Sequence, residues 1–265
     1  MLGKRGKCRR WVTVKRIYRV LVSYIPRNFF IQYTMRKYVS LIMAIFYLFI
    51  LSFSVVLREV FGEVSRVSTT QNPFSVVIDA GHGGVDGGVE GKQTGVTESE
   101  VNLSIAYLLK DLFLDAGFVV TMTRKTEFGL TDGTSGWTKK GDMKKRREII
   151  QETNPDFVLS IHQNALAFNR STRGAQVFYR KDKEADKQLA VVMQNSLNAV
   201  YAKYGVKPRN AMTGDYYMLK CTNVPSLIVE CGFLSSPEDE KLLLQDFHKK
   251  QIASSIFASV MSVLG

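Results

Sequence analysis

From Ser75 to the C-terminus, short apolar runs alternate with longer amphipathic stretches, and this alternation limits the chain to very few folds. Ser75–Asp79 is a short apolar run that stops at glycine, a buried strand. Glu98–Ala116 repeats apolar residues at helical spacing (Val101, Ile105, Leu108, Leu109, Leu112) and ends at Gly117, a helix C-terminal signal. Phe118–Thr123 reads as a second strand and 125–145 as a long surface loop. Arg146–Glu152 follows as a helix, which Asn154-Pro155 ends. Strands are predicted at Phe157–Ile161, Gly174–Tyr179, Tyr216–Leu219 and Ser226–Val229, and helices at Lys183–Tyr204 and Asp239–Leu264. Alternating β and α segments predict a single α/β domain with a mostly parallel twisted sheet covered by helices on both faces. In such sheets ligands gather at the C-terminal ends of the strands. The sequence holds no internal repeat and no low-complexity tract.

The scarce histidines fall at those ends. Of three in the chain, His82 follows the first strand in Asp79-Ala80-Gly81-His82-Gly83-Gly84. His162 follows the third in Ser160-Ile161-His162-Gln163-Asn164. A lone histidine is often a hydrogen-bonded core residue. Two at corresponding strand ends admit a metal site as an equal reading. Imidazole and carboxylate suit Zn²⁺, and catalytic zinc keeps three protein ligands and an open position. Glu98 opens the first helix after a glycine-rich loop that can fold back over the strand ends. It could also be there only for the helix dipole. The glycines around His82 follow a strand as a phosphate loop would. They match neither G-x-G-x-x-G leading into a helix nor a GKS/GKT motif, so nucleotide binding is a poor fit. Glu230 ends an apolar strand in Ile228-Val229-Glu230-Cys231-Gly232. A carboxylate there is a general acid/base, a buried ion pair or a helix cap.

Taken in order, four motifs resemble the zinc-dependent N-acetylmuramoyl-L-alanine amidases: Val77-Ile78-Asp79-Ala80-Gly81-His82-Gly83-Gly84, Glu98-Ser99-Glu100-Val101-Asn102, Ser160-Ile161-His162-Gln163-Asn164-Ala165 and Val229-Glu230-Cys231-Gly232-Phe233. The resemblance runs from about Phe74 to the C-terminus. It implies that His82, Glu98 and His162 hold Zn²⁺ and that Glu230 is the catalytic acid/base. The reaction it implies is hydrolysis of the amide between the lactyl group of N-acetylmuramic acid and L-alanine in peptidoglycan. The chain departs from the family at Ser99, where lysine is usual, and at Cys231, where valine or threonine is frequent. Cys231 neighbours Glu230 and could tune its surroundings. Asn164, Arg124 and Arg173 are further substrate-binding candidates, although either arginine could be a solvated surface group. The loop 130–140 and the lack of appended wall-binding repeats are similar to the spore-cortex, germination-specific CwlD type. That type removes stem peptides so that the cortex acquires muramic δ-lactam. Only Leu166–Arg173 separates the second histidine motif from the next strand, too short for an insert that covers the site.

The net charge of +12 invites a nucleic-acid reading, but its distribution excludes one. Of 36 Lys and Arg, eleven precede Val39 with no acid among them, which leaves 25 against 24 acidic residues beyond. The basic block instead flanks Val39–Leu57, an uncharged apolar run of bilayer length. The positive-inside rule then predicts a basic cytoplasmic segment at 1–38 and a transmembrane signal anchor at 39–57. A linker at 58–73 and an extracytoplasmic catalytic domain at 74–265 follow, in the wall or the spore intermembrane space. The run is longer than a cleaved signal's apolar region and lacks an A-x-A site, so an anchor is the better reading. Met35 opens a short basic stretch directly before the span and is an alternative start of translation. The partners expected are peptidoglycan and the membrane; a protein activator is left open. Two rivals remain: a zinc amidase or peptidase acting on another wall substrate, and a non-catalytic, membrane-tethered wall-binding protein.

Overall fold

The computed structural model describes residues 38–55, 73–132 and 136–264. The basic segment up to residue 37 with Met35, residues 56–57 of the predicted span, the linker through residue 72 and loop residues 133–135 lie outside them. The chain divides into an N-terminal unit and a body that begins at Asn72.

The first unit contains helix α1 (Tyr38–Val55), uncharged and exposed along its length. Its 18 residues are long and apolar enough to cross a membrane. The hydroxyls of Ser52 and Ser54 donate back to the carbonyls of Phe49 and Leu51, which satisfies two polar groups within the helix.

The body runs β1 (Ser75–Ala80), α2 (Glu98–Asp115), β2 (Val119–Met122), α3 (Lys139–Thr153), β3 (Phe157–Asn164), β4 (Gln176–Tyr179), α4 (Glu184–Ala202), β5 (Met212–Thr213), α5 (Tyr217–Lys220), β6 (Ser226–Phe233), α6 (Pro237–Leu243) and α7 (Asp246–Leu264). The six strands order as β2-β1-β3-β6-β4-β5. β2, β1, β3 and β6 are mutually parallel; β4 is antiparallel to β6 and carries β5 parallel to itself. This is the mostly parallel sheet that the alternation predicts. Because the side-chain period of a strand is two, Val76 and Ile78 face one side with Leu159, Ile161 and Val229. There they bury against α2, α4 and α7 through Ile105, Leu109, Leu197 and Ile256. Val77, Val158 and Ile228 face the other side, under Ile150 of α3 and Met218 and Leu219 of α5. β2 and β3 flank β1, so the chain leaves β1 in one direction and later returns on its other side. That crevice, at the strand C-termini, is where Ala80 and Asn164 deliver their loops.

Four elements differ from the sequence reading. Strand β5 has no counterpart in it. Helix α3 begins at Lys139, seven residues before the predicted start. Thr138 caps it by accepting from the Gly141 amide. Its inward positions are Met143, Arg146 and Ile150, at helical spacing, and the middle one is charged, which hides the period. The strand expected at 216–219 is helix α5: Met218 and Leu219 both reach the core while Tyr217 stays exposed, which four residues of sequence cannot distinguish from an alternation. The C-terminal helix is two helices, α6 and α7, and a new cap opens α6. Ser236 accepts from the Asp239 amide, with Pro237 in the first turn.

Arg146 spans α3 and the end of β1. It is 2% exposed. Its guanidinium donates to Asp79 Oδ1 at 2.6 Å, Asp142 Oδ2 at 2.7 Å, the Ala80 carbonyl at 2.7 Å and the His82 carbonyl at 2.6 Å. Burial alone would raise the Asp79 carboxyl. Arg146, with hydroxyls from Ser160 and Thr123, instead holds it at about 2. Arg146→Met removes one partner of a buried pair and is expected to cost about 3–5 kcal/mol in urea unfolding. A loss under about 1 kcal/mol would contradict the role given to this pair.

Candidate functional site

Helix α2 fixes the first functional group. Thr97 caps it by accepting from the Glu100 amide, and the Glu100 carboxylate accepts from the Thr97 amide. This reciprocal cap pins the first turn, and Glu98 is its first residue. The Glu98 side chain is 3% exposed and points back over the strand ends. Its Oε2 accepts from the Val89 amide at 3.1 Å and its Oε1 from the Gln163 amide at 3.1 Å. Gly88 makes this approach possible: its φ is +72°, and a β-carbon there would overlap the Glu98 carboxylate.

His82 sits in the turn after β1 with φ +60°, a left-handed conformation that costs a non-glycine residue energy. The neighbouring carbonyls hold it there. Arg146 bonds the His82 carbonyl, and Arg124 donates to those of Ala80 and Gly81. The ring is thereby aimed with Nε2 3.3 Å from Glu98 Oε1 and Nδ1 2.9 Å from Asp86 Oδ1. His162, near the end of β3, brings Nδ1 to 2.8 Å from the same Glu98 oxygen. Gly81 has to be glycine beneath it, since a β-carbon would run into the His162 ring. One donor atom each from His82, Glu98 and His162 lie within 4.8 Å of one another. Two imidazoles and a carboxylate, with a second carboxylate orienting one imidazole, make a donor set that fits a divalent transition metal.

Charge inside the cluster is finely opposed. Burial would raise the Glu98 carboxyl, but His162 and His82 outweigh it and hold Glu98 well below the usual carboxylate range. Burial would lower His82, but Glu98 and Asp86 raise it. Glu230 is the contrast. Its backbone pairs with that of His162 across β3 and β6, and its carboxyl lines the same cavity of about 290 Å³ as His82 and His162. Burial pushes it up to about 7, against the pull of His162, and its Oε2 has no hydrogen-bond partner. A half-buried carboxyl with one buried, unpartnered oxygen beside a metal-type donor cluster is placed to exchange protons with a bound molecule.

The structure therefore brings His82, Glu98, His162 and Glu230 together. It does not support the other arginines as substrate contacts. Arg124 is 3% exposed, and its guanidinium is committed to the carbonyls of Ala80, Gly81, Ser99 and Thr126. It braces the His82 turn and is unavailable to a stem carboxylate. Arg173 pairs with buried Asp239 at 2.9 Å and donates to the Tyr204 carbonyl, tying β4 to α6. Asn164 ends β3, where its Oδ1 accepts from the Ala165 amide. Cys231 points to the opposite face of β6 from Glu230, into the α2–α4–α7 core. Its thiol is pushed up by burial and by the Glu230 carboxylate, against a hydrogen bond with the Gln163 side chain. Sequence reasoning missed Asp86, whose signal was its position four residues after His82 in the same glycine-rich turn. It also missed the bridging role of Asn102, one helical turn after Glu98, which donates to the Gly81 carbonyl and accepts from Gln163.

Comparison with known proteins places this geometry. The sequence model of the family described as N-acetylmuramoyl-L-alanine amidase matches residues 76–262. The chain is 30% identical over 189 residues to the germination-specific N-acetylmuramoyl-L-alanine amidase of Bacillus subtilis (strain 168), covering 70% of this chain and 78% of that protein. Among solved structures it is similar to the CwlD amidase from Clostridioides difficile in complex with the GerS lipoprotein. The TM-score is 0.68 at 34% identity, over 72% of this chain and 98% of that one. It is also similar to an N-acetylmuramoyl-L-alanine amidase from Clostridium difficile 630, with a TM-score of 0.64 at 28% identity, over 73% and 98%.

The raised Glu230 carboxyl has a consequence for stability. The folded state holds its proton from the ordinary 4.5 up to about 7. Folding therefore binds a proton in that window, and stability falls as pH rises through it. In metal-free protein, Glu230→Gln is expected to be more stable than wild type at pH 8, by up to about 3 kcal/mol. The difference should vanish below about pH 4.5. Thermal unfolding of both proteins at the two pH values checks this; equal stability at pH 8 would contradict the buried, unpaired state of Glu230.

Proposed function

The chain belongs to the N-acetylmuramoyl-L-alanine amidase family, and from that premise we propose that His82, Glu98 and His162 hold Zn²⁺ while Glu230 carries the proton of the hydrolysis. The protein is an enzyme of peptidoglycan, cutting the amide between N-acetylmuramic acid and L-alanine. One observation carries the finer reading. Two imidazoles and a carboxylate converge, and an unpaired, buried carboxyl from the neighbouring strand opens into the same cavity.

His82, Glu98 and His162 would hold Zn²⁺, which would supply Lewis acidity toward a carbonyl and toward water. The chain's own residues do the rest. Glu98 stays ionised and, through the Val89 and Gln163 amides, fixes the distance between the histidines. Asp86 holds Nδ1 of His82, so that Nε2 is the nitrogen presented to the cluster. Glu230 accepts the proton of the attacking water on its carboxylate and returns it to the amine of L-alanine as the amide breaks. Burial raises its affinity for a proton, which favours taking one up from water. Arg124 and Arg146 hold the His82 turn and touch no substrate.

The subtype follows the relatives. The body covers most of the germination-specific relative, which supports a role in removing stem peptides during spore-cortex maturation, with muramic δ-lactam as the later product. A lipoprotein partner, of the kind bound by the clostridial neighbour, belongs to this reading. So does placement. Residues 39–57 serve as a signal anchor with the basic segment 1–38 in the cytoplasm, and 58–73 links to an extracytoplasmic catalytic domain at 74–265. Asn164, at the rim of the donor cluster, remains a substrate contact in this reading.

Glu230→Gln is expected to keep bound metal and lose about 10²–10⁴-fold in turnover. His82→Ala and His162→Ala are expected to lose metal as well, measured by elemental analysis of the purified proteins. Full turnover in Glu230→Gln would reject its role; wild-type metal content in both histidine variants would reject the ligand set.

A further inference from the structure

The donor cluster has cavities on two sides, and their chemistry differs. The cavity that Glu230 enters carries Asp79, Asp86 and Asp142 on its wall, together with Tyr216 and Tyr217. Its buried Arg146 is spent on Asp79, Asp142 and two carbonyls, and its Lys139 lies 3.9 Å from Asp86. No uncommitted positive side chain is left there for an anion. A second groove, of about 460 Å³, lies between the glycine-rich loop before α2 and the segment after β3. It is lined by Val89, Lys92, Ala165, Leu166, Arg170 and Ser235 and by no acidic side chain. It shares walls with the cluster. The Val89 amide donates to Glu98 Oε2, and Ala165 directly follows Asn164 at the end of His162's strand. Its two cations, Lys92 and Arg170, are exposed and make no ion pair among the described residues.

The loop beneath Lys92 is rigid. The Glu240 carboxylate, buried in α6, accepts from the Gln93 and Thr94 amides at 2.8–3.1 Å, and Gly91 passes close enough to it that a β-carbon would collide. The opposite wall is tied down by the Leu166 amide, which donates to Ser235 Oγ at 3.0 Å. Two cations are thus carried on fixed backbone beside Val89 and Leu166, and the Val89 amide links this groove to Glu98.

We propose that this groove receives the acidic stem peptide of the substrate, with Lys92 and Arg170 as specificity-determining residues that pair with its carboxylates. The proposal rests on the amidase reading above and adds the direction in which the substrate lies. The scissile amide joins an uncharged sugar lactyl group to a peptide whose second residue, a γ-linked glutamate, carries a free α-carboxylate. That carboxylate is one to two residues from the cut bond, about 4–7 Å along an extended chain, which is the reach of a groove that shares its wall with Glu98. An anionic stem is favoured between two free cations; along the other wall Arg146 and Lys139 already lie against the three aspartates. The glycan is left to the tyrosine-lined cavity.

The test uses full-length Glu230→Gln in detergent, loaded with Zn²⁺ so that it binds without turnover. Two probes are titrated by calorimetry: N-acetylmuramoyl-L-Ala-D-Glu with its γ-carboxyl capped as a methylamide and its α-carboxylate free, and the same compound with the α-carboxyl amidated. The free acid is expected to bind about fivefold more tightly than the amide, as two solvent-exposed ion pairs allow. Adding Lys92→Ala and Arg170→Ala should remove that preference while changing amide binding less than twofold. Equal binding of the two probes, or a preference that survives the double substitution, would overturn the proposal. The underlying reading fails separately: if wild type with Zn²⁺ cleaves neither probe nor peptidoglycan while the charge preference persists, the groove stands and the amidase assignment does not.

Discussion

The ion pair between Arg146 and Asp79 is the constraint on which the site depends. Asp79 is the last inward residue of its face of β1, and beyond it the chain must turn sharply to deliver His82 in a left-handed conformation. A histidine there is strained, and the strain is tolerated only where surrounding bonds over-determine the backbone. Arg146 supplies them. It reaches from α3 to neutralise Asp79 and takes the carbonyls of Ala80 and His82, which have no strand partner. Arg124 does the same from the other side of the turn. Two buried guanidinia, both committed to groups of the protein, thereby hold a histidine ring within bonding distance of Glu98.

The same economy of placement explains the opposite behaviour of two carboxyls, Glu98 at the start of α2 and Glu230 on β6. Glu98 receives two backbone amides and two imidazoles and stays ionised. Glu230 faces the same cavity with one oxygen unpartnered, and burial keeps its proton on to about neutral pH. A site that needs one group fixed and charged and another ready to move a proton gets both from environment alone. The unpaired carboxyl is a destabilising feature that the large two-sided core of the sheet absorbs.

The sheet and the four converging side chains are legible because each announces itself locally. Scarce histidines follow apolar runs, Glu98 follows a glycine-rich loop and Glu230 ends an apolar strand, and the resemblance of the four motifs joins them into one set. What stayed hidden was held by distance. Arg146 occupies an inward helical position that a period count scores as polar, so α3 was started seven residues late. The last seven residues of the surface loop expected at 125–145 are its first two turns. Arg124 and Arg173 read as available cations because sequence shows the charge and not the carbonyls and Asp239 that consume it. The free cations, Lys92 and Arg170, stand in segments with no periodicity at all, and only the closing of one loop against the other puts them in the same groove.

The account is tested most directly by full-length protein in detergent, incubated with purified peptidoglycan and Zn²⁺, with and without a chelator. Mass spectrometry then searches the soluble fraction for stem peptides that begin with a free L-alanine amine. The structure predicts their release, and predicts that the chelator abolishes it. Release that persists in the chelator would contradict a metal held by His82, Glu98 and His162, and peptides cut at any other bond would contradict the placement of the substrate's lactyl amide at this site.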